Sequence, residues 1–547
     1  MSEKIKLLIQ MRYTTELRNA LTATKFSTSA VPSLDIPGLS LDENYTPVKI
    51  PKRETRKSIG DMEVGRLFTF DARPEVSTYL IRGEVEDENS LDRLTEKVEQ
   101  DPSAVAVHSD ARIGTCPVCP DGPVGSHEDV AHLLNTTELH ANGMDGTNVM
   151  VAIMDTGIKM EYLRSKGISA NFDESKSWSP LHEVVFKPGN FPKDHGTMCA
   201  FDVCIAAPNC TLLDYALLRS QKRGETATEG FLSDAIIAYS KLLELLSTDE
   251  QNKPRLVVSN SWGMFHPSWD FPVDHPGNYS DNPDHPFNII VESLEEAGAD
   301  IIFSAGNCGE ECADNRCENV TDKTIYGANS HPNVLCVAAV TTKKERLGYS
   351  SKGPGRLDPN KPDICAYSHF RGSEVYPADS GTSAACPVAA GAVAAIRSVY
   401  SLSDLSPVHL RNKLRRTAED LGQIGFDYSH GYGLINTREF ITPPPKPVIP
   451  IQVGEPVSGN LRKTGESAMF KVTVKNALNV VLDGPEMQDF DLYVRKGAEP
   501  TTTHYDDRGY TGTAKEKIEI PLDMGEYYIM VHSFRGDGDF SLRTIVE

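Results

Sequence analysis

The middle of the chain alternates short, continuously apolar runs with segments of helical period. Continuously apolar strands separated by helices are typical of a parallel sheet that is buried on both faces. We therefore predict an α/β domain with strands at 149–154, 211–217, 255–260, 300–304 and 333–339, and helices at 234–246, 288–297 and 384–400.

The first part of the chain has a different order of elements. Strand-like segments at 4–11, 66–70, 77–85 and 104–107 are interleaved with helix-like segments at 14–24 and 91–99. A β-α-β-β-α-β order is typical of a ferredoxin-like module. We predict such an α+β module over residues 1–112, with a long insertion without clear period at about 25–65.

The end of the chain changes pattern again. A proline-rich linker at 442–450 is stiff and cannot continue a helix. Beyond it, short alternating strands are expected at 468–474, 490–494, 517–520, 527–532 and 540–544. These predict a small all-β sandwich over residues 451–547.

Composition narrows the choice of partners and compartment. The net charge of −22 argues against nucleic acid and anionic membrane, since both require basic patches. No run approaches the length of a transmembrane helix, and the N-terminus carries no signal-like apolar stretch. Because the eleven cysteines are an odd number and several lie in apolar surroundings, we expect reduced thiols and a cytoplasmic protein, with non-classical export left open.

Four separated residues carry the chemistry of acyl transfer. Asp155, His195, Asn307 and Ser383 supply an acid, an imidazole, an amide and a hydroxyl, the groups that an activated serine requires. Asp155 and Asn307 follow strand runs, as does Ser261. Because ligands and catalytic groups collect at the carboxyl ends of parallel strands, we expect these side chains at one edge of the sheet.

The motifs around these residues resemble those of the subtilase family of serine peptidases. They are Asp194-His195-Gly196-Thr197, Gly381-Thr382-Ser383 with Pro387, and the strand 257–263, and the resemblance covers roughly 125–440. It implies a subtilisin-like catalytic domain at 126–441, with Ser383 as nucleophile, His195 as general base, Asp155 as its orienting acid and Asn307 as oxyanion donor. It also implies a protein or peptide substrate, no cofactor for the chemistry, and substrate contacts from Ser261, Trp262, Gly263, Ala305 and Gly306.

The flanking modules fit the same resemblance. The N-terminal module looks like a subtilase propeptide, which implies an intramolecular inhibitor that the protein's own site removes, with a cut between about Asp110 and Ser126. The C-terminal strands are similar to the pre-peptidase C-terminal domains found behind secreted proteases, which conflicts with a cytoplasmic protein. Two alternatives to hydrolysis are a dedicated peptide-maturing protease or transpeptidase, and a silent peptide-binding scaffold; the intact tetrad argues against the scaffold.

Several cysteines and acids stay open to more than one interpretation. Cys116-x-x-Cys119 in the connector at 113–125 is a metal half-site, a redox pair or a plain loop. The cluster of Cys308, Cys312 and Cys317 is a zinc-like set, a disulfide that stiffens the oxyanion loop, or reduced thiols. In the enlarged loop at 264–287, carboxylates either favour basic substrate residues or lie in solvent away from the cleft: Asp270, Asp274, Asp281 and Asp284. The paired acids Asp489/Asp491 and Asp506/Asp507 are calcium ligands or acidic turns, and no metal is assigned.

Overall fold

The computed structural model describes residues 4–12, 38–42, 44–51, 78–100, 104–114, 122–180, 183, 185–219, 229–247, 254–441, 448–475, 477–502, 504–520 and 524–546. The predicted helix at 14–24, the strand at 66–70, the Cys116-x-x-Cys119 motif and most of the proline-rich linker lie outside these residues. The chain divides into two compact units, Met1–Ile441 and Thr442–Glu547.

The first unit begins with an antiparallel sheet. Its elements are β1 (Ile5–Arg12), β2 (Leu39–Leu41), β3 (Val48–Ile50), β4 (Thr78–Val85), α1 (Glu88–Gln100) and β5 (Ala104–Ser109). The strand order is β2-β4-β1-β5, with β3 also paired to β4. The central strand β1 pairs Ile9 with Ile81 on one side and with Val107 on the other, and these apolar residues are buried. The predicted long insertion therefore contains two short strands, β2 and β3.

The rest of the first unit is built around a seven-stranded parallel sheet, as the apolar runs predict. The strand order is β14-β13-β12-β11-β7-β9-β8, and β6 and β10 form a separate antiparallel pair. The strands are β6 (Arg112–Gly114), β7 (Val149–Met154), β8 (Asn171–Phe172), β9 (Thr211–Tyr215), β10 (Glu229–Phe231), β11 (Arg255–Asn260), β12 (Asp300–Ser304), β13 (Leu335–Val340) and β14 (Ile364–Tyr367). The helices are α2 (His127–Leu133), α3 (Thr136–Ala141), α4 (Met160–Ser165), α5 (His195–Ala206), α6 (Leu232–Ser247), α7 (Pro286–Glu296), α8 (Thr382–Val399), α9 (Pro407–Thr417) and α10 (Arg438–Ile441).

Helix α8 runs through the core beside α5. Its small residues permit this packing, because a Cβ on Gly391 would lie 2.3 Å from the carbonyl oxygen of Val203 in α5. Among the described residues, α8 is the one helix long and apolar enough to cross a membrane by length and composition, yet 89% of it is buried inside the unit. Its apolar character therefore reflects the core that it fills.

The second unit is a sandwich of two sheets, as predicted. Its strands are β15 (Val448–Pro450), β16 (Val457–Leu461), β17 (Ser467–Val474), β18 (Leu478–Asp483), β19 (Asp489–Lys496), β20 (Asp507–Gly509), β21 (Lys515–Ile520), β22 (Gly525–Arg535) and β23 (Gly538–Val546). One sheet has the order β15-β17-β22-β19-β20 and the other β16-β23-β18-β21. Phe470, Phe490 and Phe540 pack between the sheets with the inward-facing aliphatic residues.

Candidate active site

Three neighbouring parallel strands end at the same edge of the sheet. β7, β11 and β12 lie side by side and run in the same direction. Asp155 directly follows β7, Ser261 directly follows β11, and Asn307 lies three residues beyond β12. The structure thus brings these residues to one edge, where α5 and α8 add His195 and Ser383.

Asp155 and His195 form a buried hydrogen-bonded pair. The Nδ1 atom of His195 lies 2.9 Å from Oδ1 and 3.0 Å from Oδ2 of Asp155, and the two residues are 5% and 1% exposed. His195 is the first residue of α5, and the side chain of Asp194 accepts its backbone N–H at 2.9 Å as the helix cap. Asp194 therefore begins the helix at His195, and Asp155 orients the imidazole.

Residues next to Asp155 and His195 hold the pair together. Thr156 donates its backbone N–H to Oδ1 of Asp155 at 2.7 Å, and its hydroxyl accepts the N–H of Gly196 at 2.9 Å. A Cβ on Gly196 would lie 2.7 Å from the carbonyl oxygen of Gly157. Only glycine therefore allows this close approach of the two backbones.

Ser383 lies in the first turn of α8, against the end of β11. Its hydroxyl donates to the carbonyl oxygen of Ser261 at 3.3 Å, and the Ser261 hydroxyl donates to the Ser383 carbonyl oxygen at 2.9 Å. The Nε2 atom of His195 is buried and makes no hydrogen bond within the described part of the chain. With Nδ1 held by Asp155, this atom is the one available for proton transfer.

The two polar atoms of the Asn307 side chain differ in their hydrogen bonding within the described residues. Its Oδ1 accepts the Thr382 backbone N–H at 3.0 Å and the Thr382 hydroxyl at 2.8 Å. Its Nδ2 is buried and, among the described residues, without a hydrogen-bond partner. A buried donor without a partner costs free energy. An Nδ2 donor held in this position therefore suits an oxyanion that forms only during a reaction.

The loop around Asn307 is tied on both sides. Gly306, with φ of 100°, donates its N–H to the Thr382 hydroxyl at 3.1 Å, and Ala305 donates its N–H to the Val337 carbonyl oxygen at 2.9 Å. On the other side, a disulfide joins Cys308 to Cys317. Of the three interpretations of this cysteine cluster, the structure has the disulfide; Cys312 is also disulfide-bonded.

The predicted substrate-binding segment is already paired with another strand. Gly263 exchanges two backbone hydrogen bonds with Gly114, at 3.0 and 3.2 Å, and β6 pairs on its other side with β10. The Trp262 side chain does not line this groove. It is fully buried against Phe287 and Phe303, so it contributes only its main chain to the segment.

Two carboxylates of the enlarged loop, Asp270 and Asp281, are held by groups other than a substrate. Asp270 accepts hydrogen bonds from Ser280 and Tyr279 within its own loop, and Asp281 lies 3.5 Å from Arg356. The carbonyl oxygen of Gly277 accepts the N–H of Ser109, so the loop packs against the N-terminal module. These contacts favour the alternative in which the acids lie away from the cleft.

Metal ligation fits this site poorly. Within the described residues, one group of potential ligands lies close together, formed by Asp155, His195 and Cys199. Burial raises the pKa of the Cys199 thiol well above its ordinary value, so the thiol stays protonated and does not offer a thiolate. In the second unit, Asp491 lies buried within β19 and accepts the hydroxyl of Tyr493, while Asp506 accepts the backbone N–H of Lys496.

Two residues that hold the site were not singled out from the sequence. Thr156 and Thr382 lie inside the Asp-Thr-Gly and Gly-Thr-Ser motifs, directly beside Asp155 and Ser383. Their positions inside the two motifs can therefore be read from the sequence. By contrast, the contacts of Cys199, at 3.6 Å from Asp155 and 3.5 Å from the Ser383 carbonyl oxygen, depend on tertiary packing.

Comparison with known proteins relates both units to known families. Residues 146–433 match the subtilase family, and residues 467–533 match the bacterial pre-peptidase C-terminal domain. Subtilisin DY from Bacillus licheniformis is 28% identical over 313 residues, which are 56% of this chain and 95% of the relative. An extracellular protease from Xanthomonas campestris pv. campestris is 27% identical over 270 residues, 46% of this chain and 44% of the relative. A thermostable alkaline protease from Halalkalibacterium halodurans is 23% identical over 430 residues, 77% of this chain and 98% of the relative.

The prediction of a cytoplasmic protein is wrong. One relative is named an extracellular protease, and the second unit matches a domain of bacterial pre-peptidases, so the findings indicate export. The Cys308–Cys317 disulfide is consistent with an oxidising compartment. Six described cysteines are indeed buried free thiols, but burial protects a thiol in any compartment and does not identify one.

Proposed function

The chain belongs to the subtilase family and is a subtilisin-like serine endopeptidase, and from that premise we propose that it hydrolyses peptide bonds through an acyl-enzyme on Ser383. The observation that carries the proposal is a pair of buried nitrogen atoms, Nε2 of His195 and Nδ2 of Asn307, to which no described residue forms a hydrogen bond. Each belongs to a side chain whose other polar atom is held by a hydrogen bond. Both nitrogen atoms are therefore already oriented to form hydrogen bonds in a transition state, with no reorganisation of the side chains.

In the proposed acylation step, Nε2 of His195 takes the proton of the Ser383 hydroxyl as Oγ bonds to the substrate carbonyl carbon. The carbonyl oxygen becomes an anion, and Nδ2 of Asn307 donates a hydrogen bond to it. Asp155 stabilises the resulting imidazolium through Nδ1. The imidazolium then protonates the leaving amine, and water releases the acyl group by the reverse sequence.

The N-terminal module is proposed to inhibit this site and to be removed by it. The supporting contact is the backbone pairing of Gly114 with Gly263, since a peptide bound along that segment would add the same strand. The module reaches further into the unit through Asp110, whose carboxylate accepts both the N–H and the hydroxyl of Ser233 at the start of α6. Burial raises the pKa of Asp110 to about 6. Because Gly114 lies in the groove, self-cleavage would fall between it and Ser126.

The proposal also gives each segment of the chain a role. Residues 1–112 would form the inhibitory module, 113–125 the connector that is cut, and 126–441 the catalytic domain. Residues 451–547 would form an accessory β-sandwich beyond the linker at 442–450.

Labelling with a fluorophosphonate probe tests the nucleophile. Mass spectrometry of the processed protein should find one adduct, on Ser383, and the Ser383→Ala variant should carry none. The same variant tests self-processing, because it should keep the full-length mass while wild type loses its N-terminal module. An adduct elsewhere would refute Ser383 as the nucleophile. A Ser383→Ala protein that is trimmed like wild type would refute self-processing alone.

A further inference from the structure

Arg112, in the segment 112–114 that pairs along Gly263, contacts the ring of Trp269 in the enlarged loop at 264–287. The guanidinium carbon of Arg112 lies 5.4 Å from the centroid of the Trp269 ring. This distance is within the range of a cation–π interaction, in which the negative face of the ring attracts a positive charge. Trp269 ends a short turn, Pro267–Trp269, in the loop between β11 and α7.

The backbone of Arg112 is held as a substrate strand would be. Arg112 pairs with Phe231 in β10, and Gly114, two residues later, pairs with Gly263. Successive side chains of a strand point to opposite faces. Ile113 accordingly turns into the apolar core and is fully buried, while Arg112, on the other face, meets Trp269 and stays half-buried.

Trp269 is supported from behind and accessible in front. Its ring lies 5.7 Å from that of Phe265, which packs against the Cys308–Cys317 disulfide. Arg316 stacks on the Phe265 ring at 3.9 Å and buttresses the same cluster. The Trp269 side chain is half-buried, and the Arg112 guanidinium already reaches its ring, so a long side chain of a substrate bound in place of residues 112–114 can do the same.

We propose that Trp269 forms an extended subsite that selects substrates with arginine or lysine at the position Arg112 occupies. The inference rests on the proposed function, because it takes residues 112–114 as the stand-in for a bound substrate strand. In the substrate, one residue lies opposite Gly263, at the position of Gly114. Because the pairing is antiparallel, the substrate residue two positions later lies opposite Ser261, beside the Ser383 hydroxyl. The basic residue therefore lies four positions before the residue next to the nucleophile.

The expected preference is moderate and appears in KM. A partly exposed cation–π contact favours a basic over a neutral side chain by about three- to tenfold in kcat/KM. The contact lies far from the scissile bond, so it stabilises the bound substrate and the transition state equally. Such uniform binding lowers KM and leaves kcat unchanged.

The test uses the purified protein after it has processed itself. Quenched fluorescent peptides carry Ala-Arg-Ile-Gly, the sequence of residues 111–114, upstream of the cleaved bond, or the same sequence with glutamine in place of arginine. The arginine peptide should have a three- to tenfold lower KM at equal kcat. Trp269→Ala should bring the arginine-to-glutamine ratio of kcat/KM to about one, and Trp269→Phe should keep most of it. Val273→Ala, an exposed position in the same loop, should not change the ratio.

The outcomes separate the subsite from the peptidase. Equal kcat/KM for the two peptides in wild type would overturn the subsite while leaving the peptidase intact, and this comparison needs no variant to fold. A ratio that survives Trp269→Ala would assign the preference to another group and overturn the role of Trp269. A protein that hydrolyses neither peptide and takes no fluorophosphonate at Ser383 would overturn the proposed function, and the subsite with it.

Discussion

Replacing Asn307 with alanine removes the proposed oxyanion donor, and its cost has two separable parts. The first is catalytic. Losing one such donor from subtilisin costs about 10²–10³ in kcat, or about 2.7–4 kcal/mol, and we expect the same order here because Nδ2 is buried and held in place. The second part is structural, since Oδ1 accepts both the N–H and the hydroxyl of Thr382. Leaving these donors unpaired should cost about 1–3 kcal/mol of stability.

Asn307→Asp separates the two parts. Aspartate keeps an oxygen for Thr382 but replaces the amide donor with an anion facing the developing oxyanion. We expect Asn307→Asp to melt close to wild type and to lose at least as much kcat as Asn307→Ala, with KM of both variants near wild type. Steady-state hydrolysis of a fluorogenic peptide and thermal melts measure both effects. A folded Asn307→Ala protein with kcat within about fivefold of wild type would refute the assignment of Nδ2 to the oxyanion.

Three further predictions concern the surroundings of the site. Replacing Cys308 and Cys317 by serine should lower the free energy of unfolding by about 2–3 kcal/mol in denaturant melts, because the loop-closure constraint is lost. It should also reduce kcat, because the disulfide beside Asn307 no longer holds its loop. An unchanged kcat would mean that the disulfide does not stiffen the oxyanion loop. Gly196→Ala should abolish most peptidase activity, because its Cβ would meet the Gly157 carbonyl oxygen, whereas Gly512→Ala in the second unit, whose added Cβ has no described atom of another residue within 4 Å, should behave as wild type in the same assay. His108 in β5 and His285, directly before α7, meet with their ring centroids 5.3 Å apart, where the N-terminal module contacts the rest of the unit. Burial lowers the pKa of His285 to about 3 and that of His108 well below its ordinary value. Their neutral forms therefore favour docking of the module fully above about pH 6.5 and progressively less as pH falls. In wild type, the fraction of the N-terminal module released after cleavage should rise as pH falls, and His108→Gln should make this rise smaller, as measured by gel filtration of the cut protein. An unchanged pH profile would show that His108 does not control release.

Much of the fold could be predicted from local pattern. The apolar runs at 149–154, 255–260 and 300–304 coincide with β7, β11 and β12, because a strand buried on both faces must be apolar at every position. The pattern missed β14, which has only four residues, and β18, in which Asn479 interrupts the apolar run. The pattern also does not show that the Trp262 side chain is buried in the core, because a residue within a strand can turn its side chain to either face; Trp262 stays a predicted substrate contact through its main chain.

The candidate site shows the same division between local and long-range information. Each motif residue lies beside its strand or helix end, so the strand runs alone indicate that Asp155, Ser261 and Asn307 share an edge. The amide orientation of Asn307 is different, because it depends on Thr382, 75 residues away. Likewise, no local pattern selects the disulfide from three closely spaced cysteines.

The sequence by itself determined which acid, imidazole, amide and hydroxyl are present at Asp155, His195, Asn307 and Ser383, and which strands and helices carry them. The tertiary structure alone decided that Cys308 pairs with Cys317, that Gly114 occupies the groove along Gly263, and that Trp269 meets Arg112. The physical reason is range. Secondary structure follows from neighbouring side chains, whereas hydrogen-bond partners, disulfides and ring contacts depend on groups brought together from distant parts of the chain by packing of the core.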